Sequence, residues 1–359
     1  MRFDFNEKHG AVSDNNIYTN IIIGTGVGNS KVLFEDGKEI QFSNATPIIY
    51  AQYVRTELKK EDINVDINNY MNSTIISFIH NKNKSSNNEY IKKYNKIIKV
   101  MCEEEINESS LIEAKELAKK DMNYNFKLSQ YRATMKLMEL FSDYTVSLKQ
   151  LITDLWNFDE KSLEVFKKYM LNYENCMINI SEDISNKENL RVFKDREGKF
   201  SYLYRRKFNE DNYIIEKARS NSVYVGYLFK NLENKNRHYN YTIILAAGYY
   251  LFGDTFEIHT SRKDMSILGS KNNYGNNINS IENYKSIDLE KFSNNMIKNI
   301  KYLYNKNSEG FYELLSKLNG DGLDLNQIIK YMKMITERDV IEVIKNASVV
   351  KFKINFEEA

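Results

Sequence analysis

Hydrophobic residues at helical spacing recur at a constant distance along this chain. The stretch that begins at Leu148 matches the stretch that begins at Leu325, 177 residues later, and strand-like segments follow at 176–180 and 349–354. The apolar residues coincide in these pairs: Leu148 with Leu325, Leu151 with Ile328, Ile152 with Ile329, Leu155 with Met332, Phe158 with Ile335, Leu163 with Val340, and Phe166 with Val343. The pattern predicts a duplicated α+β unit of about 180 residues. A chance similarity between two amphipathic helices is the alternative explanation.

Hydrophobic periodicity also predicts the order of elements within each half. In the first half it predicts strands at 17–23 and 65–78, a hairpin with arms at 31–34 and 39–42, and helices at 48–60, 86–105, 111–120 and 126–141. In the second half it predicts a hairpin with arms at 191–194 and 200–204, a strand at 221–229, a buried helix at 241–252, strand and loop at 258–274, and a helix at 289–304.

The length of the chain agrees with two domains of ordinary size. A chain of 359 residues normally divides in this way, and each part is long enough to bury a core. No linker rich in proline or glycine marks the boundary. The repeat and the polar stretch at 182–189 together predict a first unit at 1–183 and a second at 184–359.

Charge and cysteine usage exclude several classes of partner. The 51 Lys and Arg residues are balanced by 49 Asp and Glu residues, so no strong field favours nucleic acid or an anionic membrane. The longest nearly apolar stretch, 241–252, is shorter than the ~20 residues of a spanning helix. Cys102 and Cys176 are too few for a disulfide framework, and the N-terminus lacks an apolar signal core. We therefore expect a cytoplasmic protein without nucleic-acid or membrane partners.

A glycine-rich segment follows the first predicted strand. Gly24, Gly26 and Gly28 have the spacing G-x-G-x-G, which invites a nucleotide-binding interpretation. The P-loop sequence Gly-Lys-Ser/Thr is absent, and a strand-like segment follows where a phosphate-binding loop would open a helix. The pattern favours a flexible turn.

Two short segments carry a resemblance to a known family. The first is INESSLIEAK at 106–115, and the second is ITERDV at 335–340. With two consecutive α+β halves that each close with a helix and a strand, they resemble the insulinase/pitrilysin metallopeptidases. The resemblance implies an α+β fold of two tandem similar units, each a mostly antiparallel sheet packed with helices. The resemblance covers most of the chain in the order of its elements, but only a few residues match the family's motifs.

The chain departs from that family at the residues that hold its metal. Active members carry an H-x-x-E-H motif on an early helix, where two imidazoles bind zinc and the glutamate activates water. The chain has four histidines, and no two lie within five residues of each other: His9, His80, His238 and His259. The early helix at 48–60 has none; instead it contains Tyr50, Gln52, Tyr53 and Glu57. We interpret the nearby acidic residues Glu103, Glu104, Glu105 and Glu113 as a solvated helix end. We therefore predict no metal, no cofactor and no catalytic residue.

Some members of the family work as pairs in which only one subunit holds zinc. The resemblance implies that the zinc-free partner supplies an arginine and a tyrosine from its second half. The segment RKDMSILGS at 262–270 is similar in place and length. Arg262 keeps the arginine position, Gly269 occupies the tyrosine position, and Tyr274 follows five residues later. We predict Arg262 and Tyr274 as substrate-binding residues, since an arginine can bind a carbonyl or carboxylate; a surface arginine on a loop is the alternative.

The resemblance leads to a functional hypothesis. It implies a catalytically silent subunit that forms a heterodimer with a zinc-bearing homologue and binds an extended peptide, such as a bacteriocin-type precursor in peptide maturation. It also implies that the peptide binds by adding a strand to a sheet edge. A stand-alone peptide-binding or scaffold protein with the same fold is the first alternative. A self-sufficient enzyme with unrecognised chemistry is the second.

Overall fold

A computed structural model gives the fold of the chain. It describes residues 15–28, 30–70, 72–140, 147–181, 184, 187–194, 200–202, 213–218, 222–229, 236–260, 265–270 and 287–356. The chain divides into two compact units. Residues 1–121, 149–204 and 302–321 form the first unit, and residues 122–148, 205–301 and 322–359 form the second.

Helices and strands alternate in the same general order in both halves of the sequence. The strands are β1 (Asn16–Ile23), β2 (Lys31–Phe34), β3 (Glu39–Gln41), β4 (Asp66–Asn69), β5 (Thr74–Asn81), β6 (Cys176–Ile180), β7 (Phe200–Tyr202), β8 (Tyr213–Ala218), β9 (Ser222–Phe229), β10 (Phe256–Thr260), β11 (Met265–Ser270) and β12 (Ser348–Phe356). The helices are α1 (Thr46–Lys59), α2 (Asn87–Cys102), α3 (Glu108–Asn125), α4 (Ser129–Glu139), α5 (Leu148–Trp156), α6 (Glu160–Met170), α7 (Arg237–Phe252), α8 (Leu289–Lys306), α9 (Ser308–Gly320), α10 (Leu325–Met332) and α11 (Glu337–Lys345).

The two main sheets share one strand order, which confirms the predicted fold class of two similar α+β units. The first sheet has the order β4-β5-β1-β6 and is antiparallel throughout. The second has the order β10-β11-β9-β12-β8, in which only the β12–β8 pair is parallel. Strands β4, β5, β1 and β6 therefore correspond to β10, β11, β9 and β12. A small sheet, β3-β2-β7, completes the first unit.

The central strand β1 is buried on both of its faces. Successive side chains of a strand point to opposite faces of the sheet. On one face the Thr19 hydroxyl lies 2.9 Å from the hydroxyl of Tyr90 on α2. On the other face Tyr18 stacks on Tyr312 of α9, and Asn20 donates to the Tyr312 carbonyl oxygen at 3.2 Å. Helices on both sides explain why β1 is almost continuously buried, although Thr19 and Asn20 are polar.

Each compact unit includes a helix from the opposite half of the sequence. Helix α9 packs on β1 and β5 of the first unit, and α4 packs on β9, β11 and β12 of the second. The units are therefore discontinuous in sequence, and the predicted boundary between 183 and 184 stays a prediction. The predictions from the sequence did not include α9.

The repeated helices begin at equivalent positions. Helices α6 and α11 start at Glu160 and Glu337, which are 177 residues apart. Leu151, Leu155, Leu163, Phe166, Ile328, Met332 and Val340 are buried, as the alignment of the two stretches predicts. Val343 is only half-buried, and the next residue, Ile344, is buried in its place. The buried stripe of α11 thus follows i, i+4 spacing from Val340, whereas that of α6 follows i, i+3 spacing from Leu163.

Two predicted elements were wrong. Residues 65–78 form the strands β4 and β5 rather than one strand, because the chain reverses where the Tyr70 N–H donates to the Ser73 carbonyl oxygen at 2.8 Å. Residues 191–194 form no strand, so β7 has no hairpin partner there and pairs with β2 instead. The backbone of Arg191 is held by α2, since its N–H donates to Asn95 and its carbonyl accepts from Tyr94.

Candidate functional site

Strand β4 lies at one edge of the first sheet, beside helix α1. Within the described residues it pairs with β5 alone, so its other side has no strand partner. A sheet edge of this kind offers backbone hydrogen-bonding groups to another chain. Helix α1 packs against both β4 and β5.

The hydrogen-bond pattern shows which backbone groups of β4 face outward. Antiparallel ladders alternate between residues that bond the neighbouring strand and residues that do not. Tyr70 donates its N–H toward Ser73, next to β5, so Asn68 and Asp66 also direct their backbone groups to β5. The opposite end of β5 agrees with this pattern, because the Lys82 N–H donates to the Asn15 carbonyl oxygen. The even-numbered residues of β5 therefore direct their backbone groups to β1, which leaves the odd-numbered residues to bond β4. The backbone groups of Ile67 and Asn69 therefore point away from the sheet.

A groove of about 330 Å³ lies against β4 within the first unit. The side chains of Asp66 and Asn68 share a face of the sheet with Ser77, because cross-strand partners point the same way. Helix α9 contributes the other wall. The lining residues used below are Tyr18, Arg55, Asp66, Glu309, Tyr312 and Glu313.

The charged groups at this groove are predominantly acidic. Asp66, Glu309 and Glu313 are exposed carboxylates, and Arg55 is the single basic residue among the lining residues. Burial, followed by the negative charges of Glu313 and Asp321, raises the pKa of the adjacent Tyr70 to about 12. Lys317, one turn along α9, lies 5.6 Å from the centre of the Tyr70 ring and does not line the groove.

Helix α1 occupies the position where the resemblance places the zinc motif, and its polar side chains bind other protein groups. The Tyr50 hydroxyl donates to the Met101 carbonyl oxygen at 3.1 Å, and the Tyr53 hydroxyl donates to the Glu105 carbonyl oxygen at 3.2 Å. The Gln52 amide donates to the Asp121 carboxylate at 2.7 Å. Helix α1 thus contributes amide and phenol groups that support neighbouring helices.

The donors on α1 do not fit a catalytic zinc ion. Such a site needs three protein ligands from His, Cys, Asp or Glu. Glu57 is the sole residue of these types on α1, and Lys60 holds it in an ion pair at 2.8 Å. No group of three or more His, Cys, Asp and Glu side chains that could hold a metal occurs among the described residues. We therefore assign no step to a metal on this chain.

The histidines and acidic residues named from the sequence are dispersed. His80 is buried beside Ser85 and Tyr90, His238 lies at the start of α7, and His259 lies 3.4 Å from Glu257; His9 is outside the described residues. Glu103 pairs with Arg191, and Glu104 pairs with Lys96 at 3.0 Å. Glu105 and Glu113 are exposed. The acidic group therefore forms a solvated helix end with surface ion pairs.

The two cysteines do not provide a reactive thiolate. Burial raises the pKa of Cys102 to about 11 and raises that of Cys176 well above the ordinary value. A protonated, enclosed thiol is a poor nucleophile and metal ligand. Cys176 is a small apolar group of the core, and Cys102 is partly buried.

The glycine-rich segment is a packed turn. The Gly24 N–H donates to the Asn175 carbonyl oxygen at 2.6 Å, and a Cβ at Gly24 would lie 2.9 Å from the Asn175 side-chain oxygen. Asn175 in turn donates to the Thr25 hydroxyl at 2.9 Å. Strand β2, not a helix, follows the segment. These contacts support the turn rather than the phosphate-binding interpretation.

The predicted substrate-binding residues Arg262 and Tyr274 both lie outside the described residues. Gly269, at the position where the family motif has tyrosine, is described on β11. A Cβ there would lie 2.3 Å from the ring of Phe252, so the strand and α7 approach too closely for any side chain. This contact accounts for a glycine at position 269. The roles of Arg262 and Tyr274 stay predictions.

Sequence reasoning missed the acidic groove because one wall of it comes from α9. The apolar spacing of Phe311, Leu314, Leu315 and Leu318 is typical of a helix and could have indicated α9. No local signal shows that this helix packs on the sheet of the other half. The groove thus depends on a contact between distant parts of the sequence.

The described part of the chain contains no helix that is long and apolar enough to cross a membrane. No protein-family model matches the sequence, and no curated protein matches it either.

Solved structures share the fold over almost the whole chain. A protein classed as an M16-like peptidase from Alicyclobacillus acidocaldarius has a TM-score of 0.71 and 11% identity, with 99% of both chains covered. A protease from Helicobacter pylori has a TM-score of 0.68 and 10% identity, with 97% of this chain and 98% of that chain covered. A peptidase M16 inactive domain from Pseudomonas fluorescens has a TM-score of 0.63 and 9% identity, with 97% and 94% covered. This chain therefore has the fold of M16-like peptidases.

Proposed function

We propose that this chain is a catalytically silent, insulinase-like subunit that binds an extended peptide along β4 and pairs with a zinc-bearing homologue that cleaves it. The peptide in this proposal is a precursor that is matured by cleavage, of the bacteriocin type. The chain contributes binding and positioning, and the homologue contributes the metal chemistry.

The open edge of β4 carries this proposal. Ile67 and Asn69 direct their backbone groups outward, and these are the groups to which an added strand would bond. Recognition of this kind reads the backbone of the peptide and tolerates varied side chains. The groove beside β4 provides room for side chains on one face of such a strand.

Two further observations support the absence of catalysis. Helix α1 presents Tyr50, Gln52 and Tyr53 to other protein groups and provides no imidazole. Among the solved structures with this fold is one named as an inactive domain. A fold that tolerates loss of its catalytic groups agrees with a supporting role for this chain.

The sharpest test replaces an outward-facing N–H on β4. Proline lacks this donor and is tolerated at an edge strand where the N–H faces away from the sheet. We expect Ile67→Pro to weaken the binding of an extended peptide by at least about tenfold, as measured by fluorescence anisotropy. Ile67→Ala is the matched control, because it shortens the same side chain and keeps the N–H.

The control variants separate binding from folding. Asn68→Pro should lower the melting temperature more than Ile67→Pro, because the Asn68 N–H points to β5. Equal peptide affinity for wild type, Ile67→Ala and Ile67→Pro would rule out strand addition at β4.

Reconstitution with a homologue that carries H-x-x-E-H tests the partner role. We expect cleavage of the precursor to require both chains and to stop when the homologue loses its metal. A stand-alone peptide-binding or scaffold protein is the alternative proposal. It predicts peptide binding by this chain without any effect on cleavage by the homologue.

A further inference from the structure

A strand added to β4 would place alternate side chains over the acidic groove. Cross-strand neighbours share a face, so the peptide residues opposite Asp66 and Asn68 would point to the same side as these two residues. On that side α9 lines the groove with Glu309, Tyr312 and Glu313, and Arg55 of α1 lines it as well. The charges and aromatic surfaces of the groove therefore determine which peptide side chains bind well at these positions.

Three carboxylates line the groove, and one positively charged side chain partly balances them. Asp66 lies on the edge strand, Glu309 and Glu313 lie one turn apart on α9, and Arg55 comes from α1. No salt bridge joins Asp66, Glu309 or Glu313 to another residue in the described part of the chain. A positively charged side chain in the groove would gain charge-assisted contacts, whereas a negatively charged one would meet repulsion.

The aromatic residues of the groove suit a long basic side chain. Tyr18 and Tyr312 stack with their centroids 5.5 Å apart beside these carboxylates. The methylene groups of lysine or arginine pack on such surfaces while the charged end stays near water, and a cation near an aromatic face gains a further attraction. A short or acidic side chain would use neither feature.

We infer that the groove beside β4 accepts a lysine or arginine side chain of an extended peptide, an inference that rests on the proposed strand addition at this edge. The substrate class is therefore a peptide with a basic residue among those that project toward α9. Charge complementarity provides selectivity, and the backbone of β4 provides general affinity.

The test compares two dye-labelled peptides that differ at one central residue, lysine or glutamate, within an otherwise identical β-forming sequence. We expect the lysine peptide to bind about tenfold more tightly at low salt. Each exposed ion pair contributes only modestly to the binding free energy, but the change from lysine to glutamate affects several carboxylates at once. The difference should shrink as the salt concentration rises.

Paired variants assign the preference to the groove. Replacing Glu309 and Glu313 together by glutamine should remove most of the difference between the two peptides while leaving the melting temperature nearly unchanged. Glu164→Gln is the matched control, because Glu164 is exposed on α6 and does not line the groove. Arg55→Gln should increase the preference for the lysine peptide.

The outcomes distinguish this inference from the proposal on which it rests. Equal binding of both peptides, with sensitivity to Ile67→Pro, would overturn the basic preference and retain strand addition. Absence of binding for both peptides would overturn strand addition and the inference together. A chain that self-associates through β4, and becomes monomeric in the Ile67→Pro variant, would identify a second copy as the occupant and would also overturn the inference.

Discussion

Tyr18 and Tyr312 stack with ring centroids 5.5 Å apart and an angle of 20° between the rings, although they belong to opposite halves of the sequence. Tyr18 lies on the central strand β1, and Tyr312 lies on α9. The Tyr312 hydroxyl also donates to the Ser181 carbonyl oxygen at 3.3 Å. This pair therefore fixes α9 on the first sheet and positions the wall that carries Glu309 and Glu313.

Truncation of this aromatic contact should destabilise the first unit. We expect Tyr312→Ala to lower the free energy of unfolding by about 1.5–3 kcal/mol, because it removes a half-buried ring and the stacking contact of that ring with Tyr18. Tyr302→Ala is the control, since Tyr302 is 63% exposed; that change should stay within about 0.5 kcal/mol. Chemical denaturation provides both values, and similar losses for the two variants would contradict the role of the stack.

Gly269 should tolerate no side chain. A Cβ at this position would lie 2.3 Å from the Phe252 ring, so we expect Gly269→Ala to lower the free energy of unfolding by about 1–3 kcal/mol. Gly269→Ala combined with Phe252→Leu should lose less stability than the sum of the two single changes, because the smaller side chain relieves the clash. Additive losses in thermal denaturation would show that the two residues do not meet.

Purified protein should contain far less than one zinc ion per chain. The reason is the lack of converging His, Cys and carboxylate ligands on α1. Elemental analysis after dialysis measures the zinc content, and a peptidase assay of the chain alone should show no turnover that a chelator abolishes. One tightly bound zinc ion that is lost together with activity would overturn the assignment of this chain as zinc-free.

Arg262 should affect peptide binding without affecting folding. We expect Arg262→Ala to leave the melting temperature nearly unchanged and to weaken peptide binding or partner-dependent cleavage by roughly 1.5–3 kcal/mol, the range for a lost charge-assisted hydrogen bond. Arg262→Lys should recover part of the effect, because lysine keeps the charge without the planar geometry. Lys263→Ala is the neighbouring control, and full activity of Arg262→Ala would remove this residue from the binding site.

His80 should make the stability of the fold depend on pH. Burial, followed by the charge of Lys93, holds the pKa of His80 below its usual value, so the folded state favours the neutral ring. Unfolding below neutral pH then takes up a proton. The contribution of His80 to the free energy of unfolding is complete above about pH 6.5 and is lost as the pH falls through the lowered folded-state pKa. Urea denaturation should show a smaller acid loss of stability for His80→Leu than for wild type, and equal losses would exclude His80 as the cause.

Local sequence patterns predicted most of the elements that pack against other elements from the same half of the sequence. The strand near residues 17–23, the helix near 86–105 and the paired starts at Glu160 and Glu337 all appear in the structure. The helix near 86–105 has a clear N-terminal signal, because Ser86 and Glu89 form a capping box. These signals are local, so they can be recognised without knowledge of the partner elements.

Patterns failed where a segment takes its partner from a distant part of the chain. Strand β7 pairs with β2, and α9 covers the face of β1 that carries Tyr18. The amphipathic spacing of a helix shows that one side must be covered and does not show which surface covers it. The groove on β4 was missed for this reason.

The sequence by itself determined the α+β class, the similarity of the two halves and the absence of paired histidines, because each depends on residue identity and short-range spacing. Only the tertiary structure decided that Ile67 and Asn69 direct backbone groups away from the sheet, and that Asp66 lies in one groove with Glu309 and Glu313. Strand pairing and helix docking are set by burial and hydrogen bonding between distant segments. Those interactions exist only when the whole chain is folded.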